Sequence, residues 1–385
     1  MKRFILTIIA ASLMVAATAQ EIGTFRPTQI VSPEITSEGV TFRLRAEYAT
    51  IVKLQGSWQR EPIDMKRGSD LVWSVTVPGL SPDLYSYGFI VDGTAMNDPS
   101  NASMQRDGTS YKSIFMVDGS NSSDYAEASK RGNVSYVWYD SPTLGMKRRM
   151  AVYTPAGYGE NKRTKYPVLY LLHGGGGDEE AWTSMGRAAQ IMDNLIEQGR
   201  ALPMIVVMPN GNANQRCAPI YDIPGAKTWS SANDIKSDLF ITSLIKDIIP
   251  YIESHYNVYK DKAHRAISGL SMGGGQTLRV NYLYPGYFNY ICPLSTGGHP
   301  HNQKGTQWAF DDKTLYAYLD KMAKAKITLV WMACGADDPW YDEAKQLDYD
   351  LTQHNVWHSF YVTPGGHEWK NWRHYLNMFA PILFK

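Results

Sequence analysis

The chain has 385 residues, of which 44% are hydrophobic and 12% aromatic, so it is long enough for two domains and at least one large core. Its 38 Lys and Arg residues are balanced by 37 Asp and Glu residues. Because no basic patch stands out along the sequence, nucleic acid is not an expected partner. The 11 Trp and 25 Tyr residues supply many rings, which pack protein cores or stack on sugars and phenols.

The N-terminal residues predict an export signal. Two basic residues precede an apolar run from Phe4 to Ala17, and the small residues up to Ala19 fit a signal-peptidase site. We therefore expect residues 1–19 to be a signal peptide, the mature chain to begin at Gln20, and the protein to be secreted or periplasmic. The apolar run is too short for a membrane span, and no later stretch is long enough.

The cysteine content argues against a disulfide scaffold. The chain has three cysteines, which cannot all pair with one another. Cys292 and Cys334 lie in apolar runs typical of buried strands, so both are predicted to be core thiols. A disulfide that involves Cys217 stays open at this level.

Residues 20–120 have the pattern of a small β-sandwich domain. Short segments rich in β-branched and aromatic residues alternate with turn residues, and no helical period appears. Residues 121–133, rich in Ser, Asn, Asp and Ala, are predicted to be an interdomain linker. The predicted strands are Val40–Ala46, Ile51–Gln55, Leu71–Val77 and Tyr85–Val91.

Residues 134–385 show a different pattern, in which apolar strand runs alternate with amphipathic helical stretches. This alternation predicts a mostly parallel central sheet with helices on both faces, as in the α/β-hydrolase fold, with an antiparallel edge at its start. The predicted strands are Tyr166–Leu172, Met204–Met208, Arg265–Ser268, Tyr290–Leu294, Ile327–Cys334 and Ser359–Val362. The predicted helices are Glu180–Gln198, Ile235–Ser254, Gly273–Tyr284, Asp312–Lys324, Tyr341–His354 and Trp369–Leu376.

A G-x-S-x-G motif at Gly269-Leu270-Ser271-Met272-Gly273 predicts a nucleophilic serine. The motif alone is weak, but here a predicted strand enters it and a predicted helix leaves it. Acyl transfer needs a serine on such a sharp turn, with its hydroxyl exposed above the sheet and small neighbours that let the backbone pass. Ser271 is therefore the candidate nucleophile.

A second glycine-rich segment, His173–Gly177, follows the strand Tyr166–Leu172. In this architecture the oxyanion hole takes one N–H from the residue after the nucleophile and one from the loop after an early strand. The predicted donors are the backbone of Met272 and of Gly175 or a neighbour. A phosphate-binding loop is disfavoured because no Gly-Lys-Ser/Thr ending follows.

The base is expected after Ser271 in the chain, because the order in this architecture is Ser, then Asp or Glu, then His. His367 lies in a Pro-Gly-Gly-His turn directly after the strand Ser359–Val362, where a base can overhang the nucleophile. The other histidines in this region are placed at a helix end, a strand start or within a helix: His354, His358 and His374.

The acid is expected just beyond the strand Ile327–Cys334, where Asp337 and Asp338 stand side by side. Adjacent side chains point in different directions, so only one can hold the imidazole, and spacing alone does not choose between them. No metal or other cofactor is expected. His367-Glu368 begins like H-E-x-x-H, but Asn371 stands where the second His belongs.

These motifs together resemble the esterase D (putative esterase) superfamily, which includes carbohydrate esterase family one with its feruloyl and acetylxylan esterases. The resemblance rests on Tyr166–Gly177, Gly269–Gly275, Cys334–Asp338 and Gly365–Leu376. It implies that the acid is Asp338 and that Gly175 is the second oxyanion donor. The N-terminal domain is similar to the early-set sandwich that overlaps carbohydrate-binding module family forty-eight, in the segments Tyr85–Phe89, Val91–Gly93 and Asn97–Pro99. This similarity implies an N-terminal domain able to bind sugar or simply to dock on the esterase.

The resemblance, with the export signal and the many aromatic rings, implies a feruloyl or hydroxycinnamoyl esterase. Its expected partners are plant cell-wall polysaccharide or its feruloylated oligosaccharides. The alternatives are an acetylxylan esterase, a siderophore (catecholate trilactone) esterase and, from another class, a non-catalytic carbohydrate-binding protein. The tryptophans expected to contact an aromatic acyl group or a sugar are Trp182, Trp229, Trp308 and Trp340.

Overall fold

The computed structural model describes residues 30–119, 122–222, 239–297 and 312–385. The predicted signal peptide, Trp229 and Trp308 lie outside the described residues. No helix in the described part of the chain is both long and apolar enough to cross a membrane. All three cysteines are described, and each is a buried free thiol, so Cys217 forms no disulfide.

The N-terminal part is a sandwich of two antiparallel sheets, as the sequence predicts. One sheet has the order β1-β2-β6-β5 and the other β4-β3-β7-β10-β9, with β8 paired to β7. The strands are β1 (Glu34–Thr36), β2 (Gly39–Arg45), β3 (Val52–Gly56), β4 (Ile63–Asp64), β5 (Lys66–Arg67), β6 (Val72–Val77), β7 (Asp83–Val91), β8 (Thr94–Met96), β9 (Met104–Asp107) and β10 (Ser110–Val117).

Alternating side chains on these strands form an aromatic core. In β2, every second residue is buried, which is the period of a strand with one face packed. Phe42, Tyr87 and Phe115 contact one another at ring-centroid distances of 4.8 to 5.6 Å. The hairpin of β9 and β10 was not predicted, because the sequence Met-Gln-Arg-Asp of β9 has little β-branched or aromatic character.

The C-terminal part is built on an eight-stranded sheet of order β11-β12-β14-β13-β15-β16-β17-β18. The first two strand pairs of this order are antiparallel and the last six strands are parallel to one another, so the predicted architecture and its antiparallel edge are confirmed. The strands are β11 (Asn133–Ser141), β12 (Met146–Thr154), β13 (Val168–Leu172), β14 (Ile205–Pro209), β15 (Arg265–Leu270), β16 (Tyr290–Leu294), β17 (Leu329–Gly335) and β18 (Ser359–Thr363).

Helices cover both faces of this sheet, and one apolar core lies on each face. The π-helical turn Leu244–Ile248 joins two of the helices. The helices in the described residues are α1 (Ala181–Ser184), α2 (Ala188–Glu197), α3 (Leu239–Ser243), α4 (Ile249–His255), α5 (Met272–Leu283), α6 (Asp312–Lys324), α7 (Tyr341–Gln353) and α8 (Trp369–Phe379).

One sequence expectation needs correction. The predicted helix Glu180–Gln198 is two helices, because the chain turns at Arg187, whose φ of 52° is left-handed. Within the predicted linker, Tyr125 is buried and its carbonyl accepts a hydrogen bond from the Arg187 side chain.

His173 ties together the loops that follow β13 and β14. The ring is buried, with 1% of its surface exposed. The Gly211 N–H donates to Nε2 at 2.8 Å, so the ring hydrogen sits on Nδ1 and is donated to the Gly174 carbonyl at 2.7 Å. Burial lowers the pKa of His173, which keeps the ring neutral and both bonds in place.

The lowered pKa of His173 predicts a loss of stability in acid. An unfolded histidine takes up a proton near pH 6.5, whereas the folded ring does so only at lower pH. Between these two values the unfolded chain binds more protons, so the free energy of unfolding falls as the pH falls. We expect urea unfolding between about pH 7 and pH 5 to show a smaller loss for His173→Gln than for the wild type. Equal slopes in the variant and the wild type would contradict the expectation.

Candidate active site

The parallel strands bring four loops to one edge of the sheet. The loops after β13, β15, β17 and β18 carry Gly175, Ser271, Asp338 and His367 respectively. In open α/β sheets, the carboxyl ends of the strands are where ligands bind. The residues predicted from sequence to act together therefore share one edge, although they lie far apart in the chain.

Ser271 occupies a strained turn between β15 and α5. Its φ of 52° and ψ of −115° lie outside the regions that a residue with a side chain prefers. Such a conformation costs roughly 1–3 kcal/mol and persists only where the surroundings hold it. Here the Ser271 N–H donates to the Leu294 carbonyl at 2.9 Å, and its carbonyl accepts from the Gly275 N–H at 3.0 Å.

The glycine after the turn is required by a close crossing of the backbone. A Cβ atom on Gly273 would lie 2.5 Å from the carbonyl oxygen of His173 and 2.8 Å from that of Leu172. The first turn of α5 therefore passes directly against the start of the loop that carries Gly175. This contact is the physical reason for a glycine two residues after the serine.

Asp338, and not its neighbour Asp337, faces the imidazole. His367 Nδ1 lies 3.0 Å from each carboxylate oxygen of Asp338, whose side chain is fully buried. The Trp340 N–H also donates to this carboxylate at 2.9 Å, whereas Asp337 is exposed. Spacing left the two aspartates open, and the structure brings Asp338 to the base, as the family resemblance implies.

The surroundings of Asp338 favour its charged form. Burial alone raises the pKa of this carboxyl, but the hydrogen bonds from His367 and from the Trp340 N–H outweigh burial and hold the pKa below its usual range. Because the carboxylate accepts at Nδ1, the ring hydrogen is on Nδ1, and Nε2 is left as the proton acceptor. The ring is held edge-on by Trp372 at a centroid distance of 4.9 Å.

Ser271 and His367 open on the same cavity, which has a volume of about 690 Å³. Among the described residues, no hydrogen bond joins the Ser271 hydroxyl to the imidazole. In unliganded enzymes this bond is often long and tightens when substrate binds. Gly175 also lines the cavity, and a Cβ atom on it would meet nothing within 4 Å, so space for a ligand borders its backbone. Met272 is the first residue of α5, whose N-terminus favours negative charge.

The cavity lies between the two parts of the chain, and the N-terminal sandwich forms one of its walls. Only tertiary packing brings these sandwich residues to the carboxyl ends of the parallel strands. The lining residues of the sandwich include Ser57, Trp58, Leu80, Ser81, Leu84, Gln105, Asp107 and Lys112, and those of the C-terminal part include Gly174, Met185, Leu270, Trp369 and Trp372.

The two predicted tryptophans that the structure describes, Trp182 and Trp340, lie outside the cavity lining. Trp182 has 1% of its surface exposed and donates its indole N–H to the Leu172 carbonyl, and neither it nor Trp340 is among the lining residues. Trp369 does line the cavity and packs edge-on against Trp182 at 5.2 Å. Its position two residues after His367 was the signal in the sequence that could have identified it.

Comparison with known proteins assigns the family. The family model described as "Putative esterase" matches residues 141–381. A curated relative from Xylanibacter ruminicola, named endo-1,4-beta-xylanase/feruloyl esterase, is 32% identical over 273 residues, which are 69% of this chain and 36% of the relative. The chain thus spans little more than a third of that protein.

Two solved structures show the extent of the shared fold. The ferulic acid esterase of Anaeromyces mucronatus, solved with ferulic acid, is 25% identical with a TM-score of 0.57 and covers 70% of this chain and 98% of its own. The enterobactin esterase of Shigella flexneri, at 19% identity, shows fold alone, with a TM-score of 0.64 over 90% of this chain and 92% of its own.

The resemblance of the N-terminal sandwich to carbohydrate-binding module family forty-eight is tested by none of these matches and stays a prediction. The family model, in contrast, covers more than half of the chain and includes the serine turn, Asp338 and His367. The chain therefore belongs to the putative esterase family of α/β-hydrolases.

Proposed function

We propose that this protein is an exported serine esterase that releases ferulate and related hydroxycinnamates from plant cell-wall xylan. The observation that carries the proposal is the meeting of Ser271 and the His367–Asp338 pair on one cavity. The names of the Xylanibacter and Anaeromyces relatives support the choice of acyl group. The basic, apolar and small-residue pattern of residues 1–19 supports export.

The proposed reaction has two steps. His367 accepts the Ser271 proton while the hydroxyl oxygen attacks the ester carbonyl, and Asp338 stabilises the imidazolium that forms. The N–H groups of Met272 and Gly175 hold the tetrahedral oxyanion, each worth roughly 3 kcal/mol in the transition state. As the bond between the carbonyl carbon and the sugar oxygen breaks, the His367 imidazolium gives its proton to that oxygen, and the sugar leaves as an alcohol. Water, activated by the same imidazole, then releases the acid from the acyl-enzyme.

The chemistry of the cavity walls fits such a substrate. Leu270, Met185 and Trp369 offer apolar surface for a phenyl ring, while Gln105 and Lys112 offer hydrogen bonds for sugar hydroxyls. A volume of about 690 Å³ lies in the range of small-molecule sites, roughly 300–1,000 Å³. We propose that the ester bond lies across this cavity, with the acyl group against the apolar wall.

Replacement of Ser271 tests the proposed nucleophile. Ser271→Ala should abolish hydrolysis of methyl ferulate, measured by chromatography of released ferulate, while the melting temperature stays near that of the wild type. A fluorophosphonate should label the wild type and not the variant. Retained turnover in Ser271→Ala would remove the basis of the assignment.

The substrate class is tested with the full chain on three ester types. Feruloylated arabinoxylan, acetylated xylan and a catecholate trilactone should be compared at equal enzyme concentration. Release from the feruloylated polymer should be the fastest. Faster release of acetate would favour an acetylxylan esterase, and faster opening of the trilactone would favour a siderophore esterase.

The two neighbouring aspartates offer a matched pair of variants. Asp338→Asn should lower kcat by about 10³–10⁴-fold, because an amide cannot stabilise the imidazolium and favours the wrong tautomer of the ring. Asp337→Asn, which changes an exposed carboxylate, should stay within about twofold of the wild type. Steady-state kinetics on methyl ferulate measure both, and similar losses in the two variants would contradict the assignment of Asp338.

Variants of Trp369 and Trp340 test which tryptophan contacts the substrate, because Trp369 lines the cavity and Trp340 was predicted from the sequence but does not line it. Trp369→Ala should raise KM for methyl ferulate by about tenfold, since the loss of an aromatic contact costs about 1–1.5 kcal/mol, and should change KM for methyl acetate less. Trp340→Ala, outside the lining, should leave both KM values nearly unchanged. Melting curves check that each variant is folded, and a larger effect of Trp340→Ala would contradict the cavity assignment.

A further inference from the structure

One buried arginine of the N-terminal sandwich contacts the residues that follow the glycine loop, Gly174–Gly177, after β13. Arg106, on β9, has 6% of its surface exposed. Its two terminal nitrogens each donate to one carboxylate oxygen of Asp178 at 2.7 Å, and one of them also donates to Glu180 at 3.0 Å. Such paired bonds between guanidinium and carboxylate fix both distance and orientation.

Backbone contacts lock the same arginine to the C-terminal part. The Arg106 N–H donates to the Ser184 hydroxyl at 2.7 Å, and that hydroxyl donates back to the Arg106 carbonyl at 3.1 Å. At the turn after β9, Gly108 lies beside the loop after β13, where a Cβ atom on it would be in van der Waals contact with the Gly176 carbonyl oxygen at 3.4 Å. The β9 strand is therefore docked at three points around this loop.

The partner carboxylate, Asp178, is the residue that ends the glycine loop. Gly174–Gly177 directly precedes it, and its carboxylate also accepts the Glu180 N–H at 2.9 Å, which fixes the exit of the loop. The entrance is held by His173, and the Asn212 side-chain amide donates to the Gly177 carbonyl at 2.8 Å. Between these anchors, no hydrogen bond within the described residues holds Gly175 or Gly176 directly.

Asp178 depends on Arg106 more than the neighbouring carboxylates do. Glu179 and Glu180 both pair with Arg149, from the C-terminal part itself. Among the described residues, Arg106 is the one cationic side chain that pairs with Asp178. Without it, Asp178 would be a buried charge with no counterion, and a loop that keeps such a charge has to move toward water.

We propose that Arg106 is a positioning residue for catalysis: through Asp178 it holds the Gly175 N–H where the oxyanion forms, so that the N-terminal sandwich completes the esterase site. This inference rests on the proposed function of Ser271 and Gly175. Arg106 does not itself line the cavity, whereas its neighbours Gln105 and Asp107 do, as expected from the alternation of side chains along a strand.

The test compares Arg106→Gln and Arg106→Lys with Arg43→Gln, a control in the same sandwich whose ion pair with Glu34 is partly exposed. A p-nitrophenyl ester serves as substrate, because its hydrolysis does not depend on which acyl group is preferred. We expect kcat to fall about 10- to 100-fold for Arg106→Gln with KM within twofold, since a displacement of about 1 Å can cost about 100-fold. Arg106→Lys should lose less, and Arg43→Gln should match the wild type.

A second readout separates positioning from general destabilisation. Phenylboronic acid forms a tetrahedral adduct with a serine oxygen and needs the oxyanion donors, whereas the product ferulate binds without such an adduct. In Arg106→Gln the affinity for the boronic acid should fall by the same factor as kcat/KM, with ferulate inhibition unchanged. Equal weakening of both ligands, or a kcat within twofold of the wild type, would overturn the proposal.

Variants of Asp178, the partner of Arg106, test the same interaction from its other side. Asp178→Asn should lower kcat to a similar extent, and the double variant Arg106→Gln/Asp178→Asn should lose no more than the worse single variant, because both changes remove one interaction. Additive losses would overturn the proposal. If Arg106→Gln does not fold, Arg106→Lys and Asp178→Asn carry the same comparison. An unchanged Arg106→Gln with an inactive Ser271→Ala would reject the positioning role alone, whereas an active Ser271→Ala would reject the site as well.

Discussion

The close crossing of α5 over the end of β13 is the contact on which the site depends. Gly273 lies so near the His173 carbonyl that no side chain fits, and this proximity places the serine turn beside the glycine loop. The same packing supports the strained backbone of Ser271, because the Leu294 carbonyl from the next strand accepts its N–H. A conformation that would be unfavourable in isolation is thus held by three neighbouring strands.

Buried charged side chains lie next to this crossing. Asp178, Glu179 and Glu180 follow the glycine loop and are all buried. They are paired with guanidinium groups from both parts of the chain. Buried charges of this kind contribute little net stability compared with apolar packing, but they are costly to break, so they select one arrangement of the groups that they join. Here the arrangement selected is the docking of the sandwich beside the loop that carries Gly175.

The N-terminal sandwich is more than an attached module. Its residues supply one wall of the cavity, and Arg106 contributes to the frame of the loop. The enterobactin esterase of Shigella flexneri shares the fold over nine-tenths of this chain, so the pairing of a β-rich part with this α/β unit is not peculiar to this protein.

The sequence could predict the elements whose signals are local. The strands around the core, the glycine-flanked Ser271 and the Pro-Gly-Gly turn before His367 each follow from residue type and period, because backbone geometry and burial act over a few residues. The paired termini of β17 and β18 then brought His367 and an aspartate together, although spacing left Asp337 and Asp338 open.

Tertiary structure showed which aspartate meets the imidazole, as the family resemblance implies, and it alone decided which tryptophans line the cavity and that β9 exists as a strand. Each of these depends on contacts between residues far apart in the chain. Asp338 is selected by burial and by the direction of its side chain, Trp369 by the docking of α8, and Arg106 by an ion pair spanning 72 residues. No local sequence pattern encodes such contacts, because they stabilise the folded chain only when both partners are buried together.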